Sequence, residues 1–319
     1  MLEKSERLVT LARDAAKELG LSKEESRILE RAAFLSKGDL LTHMVGEFPE
    51  LQGVMGRYYA LEGGEAKAVA EAIGEQYLPR TAQDPLPATL AGGLLSVLDK
   101  CDLIKTCFRL GLEPTSSLDP YGLRRAASAV LKIILEKRLE LSVPAEAKLG
   151  AFFRDRFKAL MVDRGTREDF VEAAMATRFE KPYEVCLRVH SLTQIAREPY
   201  FPKAWKVVER TANMLKGSKD KLDGALRAEV FTETLEREVF KHYEASHAAI
   251  TEAARTRDFA RATSLYAGAF FDIVGEFFDK VFVNADDLEV RKNRLLLLKA
   301  VKDLYTADVA DLSKIHLTG

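Results

Sequence analysis

Turn-forming residues are scarce in this sequence: 19 glycines and 10 prolines in 319 residues, about 9% where roughly 12% is average. That shortage leaves long stretches free to be helical and disfavours an all-β sandwich, whose many short strands each need a turn. Cysteine is rarer still. Cys101, Cys107 and Cys186 form no Cys-x-x-Cys pair and leave one thiol over in any pairing, which argues against a disulfide framework and for the reduced thiols of a cytoplasmic protein. The longest aliphatic run, Leu295 to Leu298, is about four residues, against the roughly 18 that mark a membrane span. Met1 to Arg7 is charged and helical in pattern, without the apolar stretch and cleavage site of a signal peptide, so export is not expected. Neither sign of charge dominates: 48 Lys and Arg stand against 49 Asp and Glu, a formal net charge of −1. Any phosphate-binding surface must therefore be a local patch rather than a global field.

Motifs that carry chemistry are missing as well. Neither Gly-x-Gly-x-x-Gly nor Gly-x4-Gly-Lys-Ser/Thr occurs, so no glycine-rich loop is set to cradle a phosphate. The histidines, His43, His190, His242, His247 and His316, include no His-x3-His pair that would place two ligands on one helical face. There is no Gly-x-Ser-x-Gly elbow. No active site is legible, and the length suggests about two domains with ample apolar material for real cores.

What the sequence does hold is helical periodicity. Leu8, Leu11, Ala12, Ala15 and Leu19 recur at spacings of three and four, and Gly20 follows where a helix C-cap belongs. Ser22 and Glu25 stand in capping-box register and predict a second helix toward Leu35. The opening helix has no preceding cap, which suggests a piece of a longer polypeptide. Between Gly46 and Gly64 the pattern is broken by Gly46, Pro49, Gly53, Gly56 and Gly63-Gly64, with aromatics interleaved. Residues 65–77 resume helical spacing, and 78–87 is a proline-containing linker. Asp119-Pro120 predicts an N-cap with Pro at N1 and a helix to about Leu141. Further helix starts are expected at Thr166 with Asp169, at Pro182 and at Tyr200-Phe201-Pro202. Lys216 to Gly224, charged and with two glycines, is a plausible boundary, and Val281-Phe282-Val283 is the one short β-compatible run. The fold class expected is all-α, a multi-domain helical bundle.

Three basic clusters have the composition that RNA recognition uses, cations for phosphates and planar groups for unpaired bases. Arg124-Arg125 lies one turn inside the helix expected after Asp119, where helix N–H groups and two guanidinium groups could converge on a phosphate; an internal salt bridge is the other reading. Arg291-Lys292-Asn293-Arg294 precedes Leu295, Leu298, Val301 and Leu304, which predicts one buried face with cations at its accessible end, or else a plain solvated face. Arg57-Tyr58-Tyr59 sits in the glycine-rich stretch, where core packing of the aromatics is the competing role.

Longer strings are more specific. Lys37-Gly38-Asp39-Leu40 and the run from Met44 through Gly46-Glu47-Phe48-Pro49-Glu50-Leu51-Gln52-Gly53-Val54-Met55-Gly56 to Arg57-Tyr58-Tyr59-Ala60 closely resemble the β subunit of the bacterial two-subunit glycyl-tRNA synthetase. The likeness continues through Tyr77-Leu78-Pro79-Arg80, Leu98-Asp99-Lys100, Pro114-Thr115 and Asp119 to Ala127. It then covers Arg210 to Leu215, Phe277 to Asn284 and Arg291 to Leu295, essentially the whole chain.

This resemblance implies an HD-like helical domain over residues 1–143, a helical linker and body-tail region over 144–224, and a DALR-like helical anticodon-binding domain over 225–319. It implies the C-terminal half of such a subunit, partnered by tRNA-Gly, by the α subunit and by the missing N-terminal half of the β subunit, with no membrane association. ATP and Mg2+ would be used by the α subunit, this chain binding no cofactor and no metal and not being catalytic alone. Arg291, Asn293 and Arg294 are then candidates for reading anticodon bases, with Lys280 beside them and Phe277 or Phe278 as stacking platforms or core. Arg124, Arg125, Arg80, Lys100 and Arg57 are the candidates on the HD-like part. Relatives often have Gly after Pro-Thr where this chain has Ser116, which reduces backbone freedom there. The rival readings are a metal-dependent phosphohydrolase using Asp39, Asp99 and Asp102, although the His-Asp pair of such enzymes is absent, and a purely structural helical scaffold.

Overall fold

The computed structural model describes the chain except for residues 82, 116–117, 219 and 318–319; Ser116 therefore lies outside the described residues. Among the described residues there are fourteen α-helices and no strand, and none of the helices is long and apolar enough to cross a membrane. The chain divides into two compact units. Unit 1 comprises Met1–Leu160 with Glu180–Glu184, and unit 2 comprises Met161–Phe179 with Val185–Gly319.

Unit 1 opens with α1 (Leu2–Leu19) and α2 (Lys23–Leu35), the expected hairpin: Gly20 closes α1 in the left-handed conformation, and Ser22 and Glu25 exchange both bonds of a capping box. The broken stretch resolves into a short helix, α3 (His43–Glu47), a 3-10 turn at Pro49–Leu51, and α4 (Val54–Glu62), followed by α5 (Lys67–Glu75). At the centre runs α6 (Leu90–Arg109), with Leu94, Leu95, Val97 and Ile104 inside. Each such aliphatic side chain contributes about 1.5–3 kcal/mol of burial. Next comes α7 (Leu123–Glu136), which is shorter than expected at both ends. Asp119 does cap it, accepting from the N–H groups of Leu123 at 2.8 Å and Arg124 at 3.0 Å, but from outside, across a Pro120-Tyr121-Gly122 turn. The helix stops before Arg138, whose φ of 54° takes the chain out of it. Leu139, Leu141 and Val143 then bury alternate positions of an extended segment. α8 (Ala147–Asp163) follows and extends beyond Leu160, the last residue of unit 1 in this stretch.

Unit 2 contains α9 (Glu168–Met175), most of α10 (Pro182–Ile195), α11 (Phe201–Gly217), and the two longest helices, α12 (Thr234–Arg255) and α13 (Phe259–Lys280). Three residues join α12 to α13, a connection that makes them antiparallel neighbours. α14 (Leu288–Thr306) packs on this pair. Its core holds Tyr266, Phe270, Phe277 and Tyr305. The Tyr266 and Tyr305 rings lie 4.8 Å apart, and the Tyr305 hydroxyl is 2.8 Å from Thr263 Oγ1, so its polar end is satisfied inside. The expected Thr166 cap is absent: Arg167 occupies the N-cap position of α9, and Asp169 holds Arg167 and the N–H of His316. Val281-Phe282-Val283 forms no strand.

Candidate nucleic-acid interface

The string that begins at Lys37 folds around two charges. Asp39 turns its carboxylate onto the start of α4, where Oδ2 accepts from the N–H groups of Gly53 at 2.6 Å and Gly56 at 3.1 Å, an anion where the helix dipole favours one. Both glycines are needed for this approach. Gly53 adopts φ +81°, and a Cβ on Gly56 would meet Ile73 Cγ2 at 2.8 Å and Asp39 Oδ2 at 3.1 Å. Lys37 is buried and spends its three N–H donors on Asp99 Oδ2 at 2.8 Å, Gln76 Oε1 at 2.7 Å and the Tyr77 hydroxyl at 3.2 Å. Lys4 approaches the other Asp99 oxygen at 2.8 Å. Burial disfavours the Asp99 anion, yet the two ammonium groups outweigh it and hold the carboxyl below its usual range.

These residues border a cleft of about 460 Å3 in unit 1, within the ~300–1,000 Å3 of small-ligand sites. Lys4, Lys37, Arg80, Lys100 and Arg125 line it against one carboxylate, Asp99. Arg80 donates to the carbonyls of Glu50 at 3.0 Å and Gln52 at 2.7 Å and lies over the Tyr77 ring. Lys100 donates to Ser96 Oγ at 2.7 Å and the Leu78 carbonyl at 3.1 Å. Its burial, only partly offset by Asp99, pushes it down to about 8. The exposed ring of Tyr121 stands on the same cleft.

The three aspartates of the phosphohydrolase reading do not pool their oxygens. Asp39 caps α4, Asp99 is held by two lysines, and Asp102 takes Arg7 through Nε at 3.0 Å and a terminal nitrogen at 3.2 Å. Among the described residues no three His, Cys, Asp or Glu side chains gather as a metal-binding group.

In unit 2 the cluster ahead of Leu295 is half-buried at Arg291 and Lys292 and buried at Asn293 and Arg294. Arg294 is buried with Glu236, its Nε 2.6 Å from that carboxylate, and it also donates to Thr232 Oγ1 at 2.9 Å and the Phe282 carbonyl at 2.8 Å. Asn293 pairs with the backbone of Arg227, accepting its N–H at 2.9 Å and donating to its carbonyl at 2.8 Å. Arg291 meets Asp220 at 2.8 Å and Lys292 meets Asp223 at 2.5 Å. Arg291 is raised above the ordinary guanidinium value by its hydrogen bond to Asp220.

Residues 1–176, more than half of the chain, match the family described as glycyl-tRNA synthetase beta subunit. The chain belongs to that family. Residues 206–307 match the DALR anticodon binding domain. Among curated proteins it is similar to the glycine–tRNA ligase beta subunits of Geobacter sp. (strain M21), 38% identical over 333 residues, and Desulforudis audaxviator (strain MP104C), 38% over 335. The same protein of Myxococcus xanthus (strain DK1622) is 37% identical over 341 residues. These alignments cover 98%, 98% and 99% of this chain but 47%, 48% and 48% of the relatives, so the chain spans about half the length of the curated relatives it matches.

Within this member of the glycyl-tRNA synthetase beta subunit family, the candidate residues fall into three groups. Arg80, Lys100 and Arg125 come together on the unit 1 cleft. Arg124 does not line it and instead donates to the Thr115 carbonyl, a backbone contact rather than the salt bridge considered for it. Arg57, Tyr58 and Tyr59 are exposed, with the Arg57 guanidinium over the Tyr58 ring, so the core-packing role does not apply. A second group lies inside unit 2: burial corrects Asn293 and Arg294, each spent on an internal partner, and Phe277 is core, the second of the two roles considered for it. In the third group, Arg291 is half-buried against Asp220, Lys280 pairs with Glu276, and Phe278 lies under Arg210, 4.7 Å from ring centre to guanidinium.

Two residues escaped the sequence reading. Phe282 is 72% exposed while Val281 and Val283 are 7% and 3%, so the period-two run that suggested a strand points a phenylalanine outward. Tyr121, beside the Gly122 turn, supplies an exposed ring at the unit 1 cleft, besides that of Tyr77. The alternation was a usable signal for Phe282; Tyr121 had none beyond its neighbours.

Proposed function

We propose that this chain is the tRNA-binding part of the β subunit of a two-subunit glycine–tRNA ligase, positioning tRNA-Gly for aminoacylation by the α subunit. The observation that carries this is the unit 1 cleft: in a chain of net charge −1, Arg80, Lys100 and Arg125 face one concavity without a carboxylate of their own. The family match and the DALR anticodon binding domain match support it. On this reading residues 1–143 are the HD-like portion that meets the acceptor arm, 144–224 the linker and body-tail portion, and 225–319 the portion that meets the anticodon loop. The platform for an unstacked anticodon base is Phe282, fixed from behind by Arg294. The partners are tRNA-Gly, the α subunit and the further β-subunit sequence that the longer relatives carry; ATP and Mg2+ are used by the α subunit, and the complex works in the cytoplasm.

The deciding experiment titrates the purified chain with tRNA-Gly and a non-cognate tRNA at two salt concentrations. Contact with several phosphates makes affinity fall steeply with salt, by a slope of about 0.9 per phosphate neutralised on duplex. Arg125→Gln is expected to reduce that slope by about one, whereas Arg291→Gln leaves it unchanged because Asp220 already neutralises Arg291. Equal and negligible affinity for both tRNAs at low salt removes the proposal and favours the scaffold reading.

A further inference from the structure

The cations of the unit 1 cleft differ in what answers them. Lys4 and Lys37 share Asp99, each at 2.8 Å. Arg80 and Lys100 are held by carbonyl and hydroxyl oxygens, and Arg125 is exposed with no carboxylate partner among the described residues. Neutral oxygens orient a cation without cancelling it, and a buried ammonium supported only by neutral bonds is short of a counterion. Of the acids just outside, Asp102 pairs with Arg7 and Lys4, Asp39 gives one oxygen to the amides of Gly53 and Gly56, and Asp84 takes the backbone N–H of Arg80 at 2.7 Å; among the described residues none of them forms an ion pair with the side chain of Arg80, Lys100 or Arg125. Three positive charges are thus pre-oriented around one small concavity, beside an exposed tyrosine ring.

An internal phosphodiester brings one negative charge and obliges the strand to pass in and out of the cleft. A terminal phosphate monoester brings about −1.5 to −2 at neutral pH, three acceptor oxygens and a single attachment. Three unanswered cations in a site of about 460 Å3 match the second group better than the first. We propose that this cleft binds a nucleotide's terminal phosphate monoester, the 5′-phosphate that ends an RNA or the same group on a free nucleotide. Arg125 and Arg80 supply guanidinium donors, Lys100 a point charge, and Tyr121 a face for the adjoining base. The RNA form of this proposal rests on the tRNA-binding reading above; the free-nucleotide form does not.

The test uses the full chain and four probes: a short RNA hairpin with a 5′-phosphate, the same hairpin with a 5′-hydroxyl, adenosine 5′-monophosphate, and adenosine. The phosphorylated hairpin is expected to bind about tenfold more tightly than its hydroxyl twin, the size of one strong charge-assisted contact. Arg125→Gln should close most of that gap without moving the thermal unfolding midpoint, and Arg80→Gln should act in the same direction. If the hairpins bind alike but the monophosphate binds where adenosine does not, and Arg125→Gln abolishes it, the occupant is a free nucleotide. Hairpins that bind alike with no monophosphate binding overturn the cleft proposal while leaving tRNA binding intact; the absence of binding by all four probes removes the cleft proposal and counts against the tRNA-binding reading together.

Discussion

Arg294 and Glu236 form an ion pair 2.6 Å long in the interior of unit 2, buried on both sides. The same guanidinium holds the carbonyl of Phe282, so one side chain ties the start of α12 to the segment that leads into α14. An arginine in a basic cluster, the residue most readily assigned to a base edge, is here an internal brace.

Arg294→Ala is therefore expected to cost about 3–5 kcal/mol, because it leaves the Glu236 carboxylate buried without its counter-charge, held only by the N–H groups of Thr232 and Glu233. Thermal unfolding checks this, and replacing both partners by apolar residues should recover much of the loss. An unchanged midpoint together with weakened tRNA binding would return Arg294 to the role of a reader of bases.

Phe282→Ala has the opposite expectation. The ring is exposed, so stability should move by no more than about 0.5 kcal/mol. Affinity for tRNA-Gly should weaken by about 1–3 kcal/mol if the ring stacks on one base. A variant that binds like the wild type excludes Phe282 as a platform.

The pH dependence of phosphate binding follows from Lys100. Burial lowers it from the ordinary lysine value to about 8, with Asp99 and Cys101 pulling upward and Lys37 and Arg80 pushing down. The other groups at this site lie elsewhere on the scale: Asp99 is below its usual range, Cys101 is pushed up to about 12, and burial raises Tyr77. Affinity for a phosphate monoester should rise as the ligand loses its second proton near pH ~6, and fall above pH 8 as Lys100 loses its own. The sign for folding is the reverse of a stabilising pair: below pH 8 the full cost of burying the ammonium is present, and it is relieved as pH rises from about 8 toward the unfolded value of 10.5. Binding isotherms at pH 7 and 9 with wild type and Lys100→Gln test this; a wild-type affinity equal at both pH values contradicts it.

Gly56→Ala should destabilise unit 1 by about 1–3 kcal/mol, the usual cost of overpacking, since the new methyl meets Ile73 and the Asp39 carboxylate. Gly46→Ala, where a Cβ meets nothing within 4 Å, is the control within the same motif. Equal unfolding midpoints for the two variants would show that the Asp39 contact is not needed for the fold.

The helical class, the hairpin of α1 and α2 and the capping box of Ser22 and Glu25 were legible because each depends on residues within one or two helical turns. Asp119 was legible as a cap but not in its place, because it reaches the helix across the Gly122 turn. Phe282 could be found from the alternation around it, whereas Lys4, 33 positions before Lys37, joins the cleft only through folding.

Amino-acid order alone determined the all-helical class, the scarcity of turns, the lack of any legible catalytic motif and the strings that mark the family, since these are properties of local spacing and residue type. Tertiary structure decided which cations remain without a counter-charge. Arg291, Lys292 and Arg294 look as basic in sequence as Arg80, Lys100 and Arg125, but Asp220, Asp223 and Glu236 answer the first three, while neutral oxygens or solvent surround the second. Charge is written residue by residue; its cancellation depends on distances that only the folded chain sets.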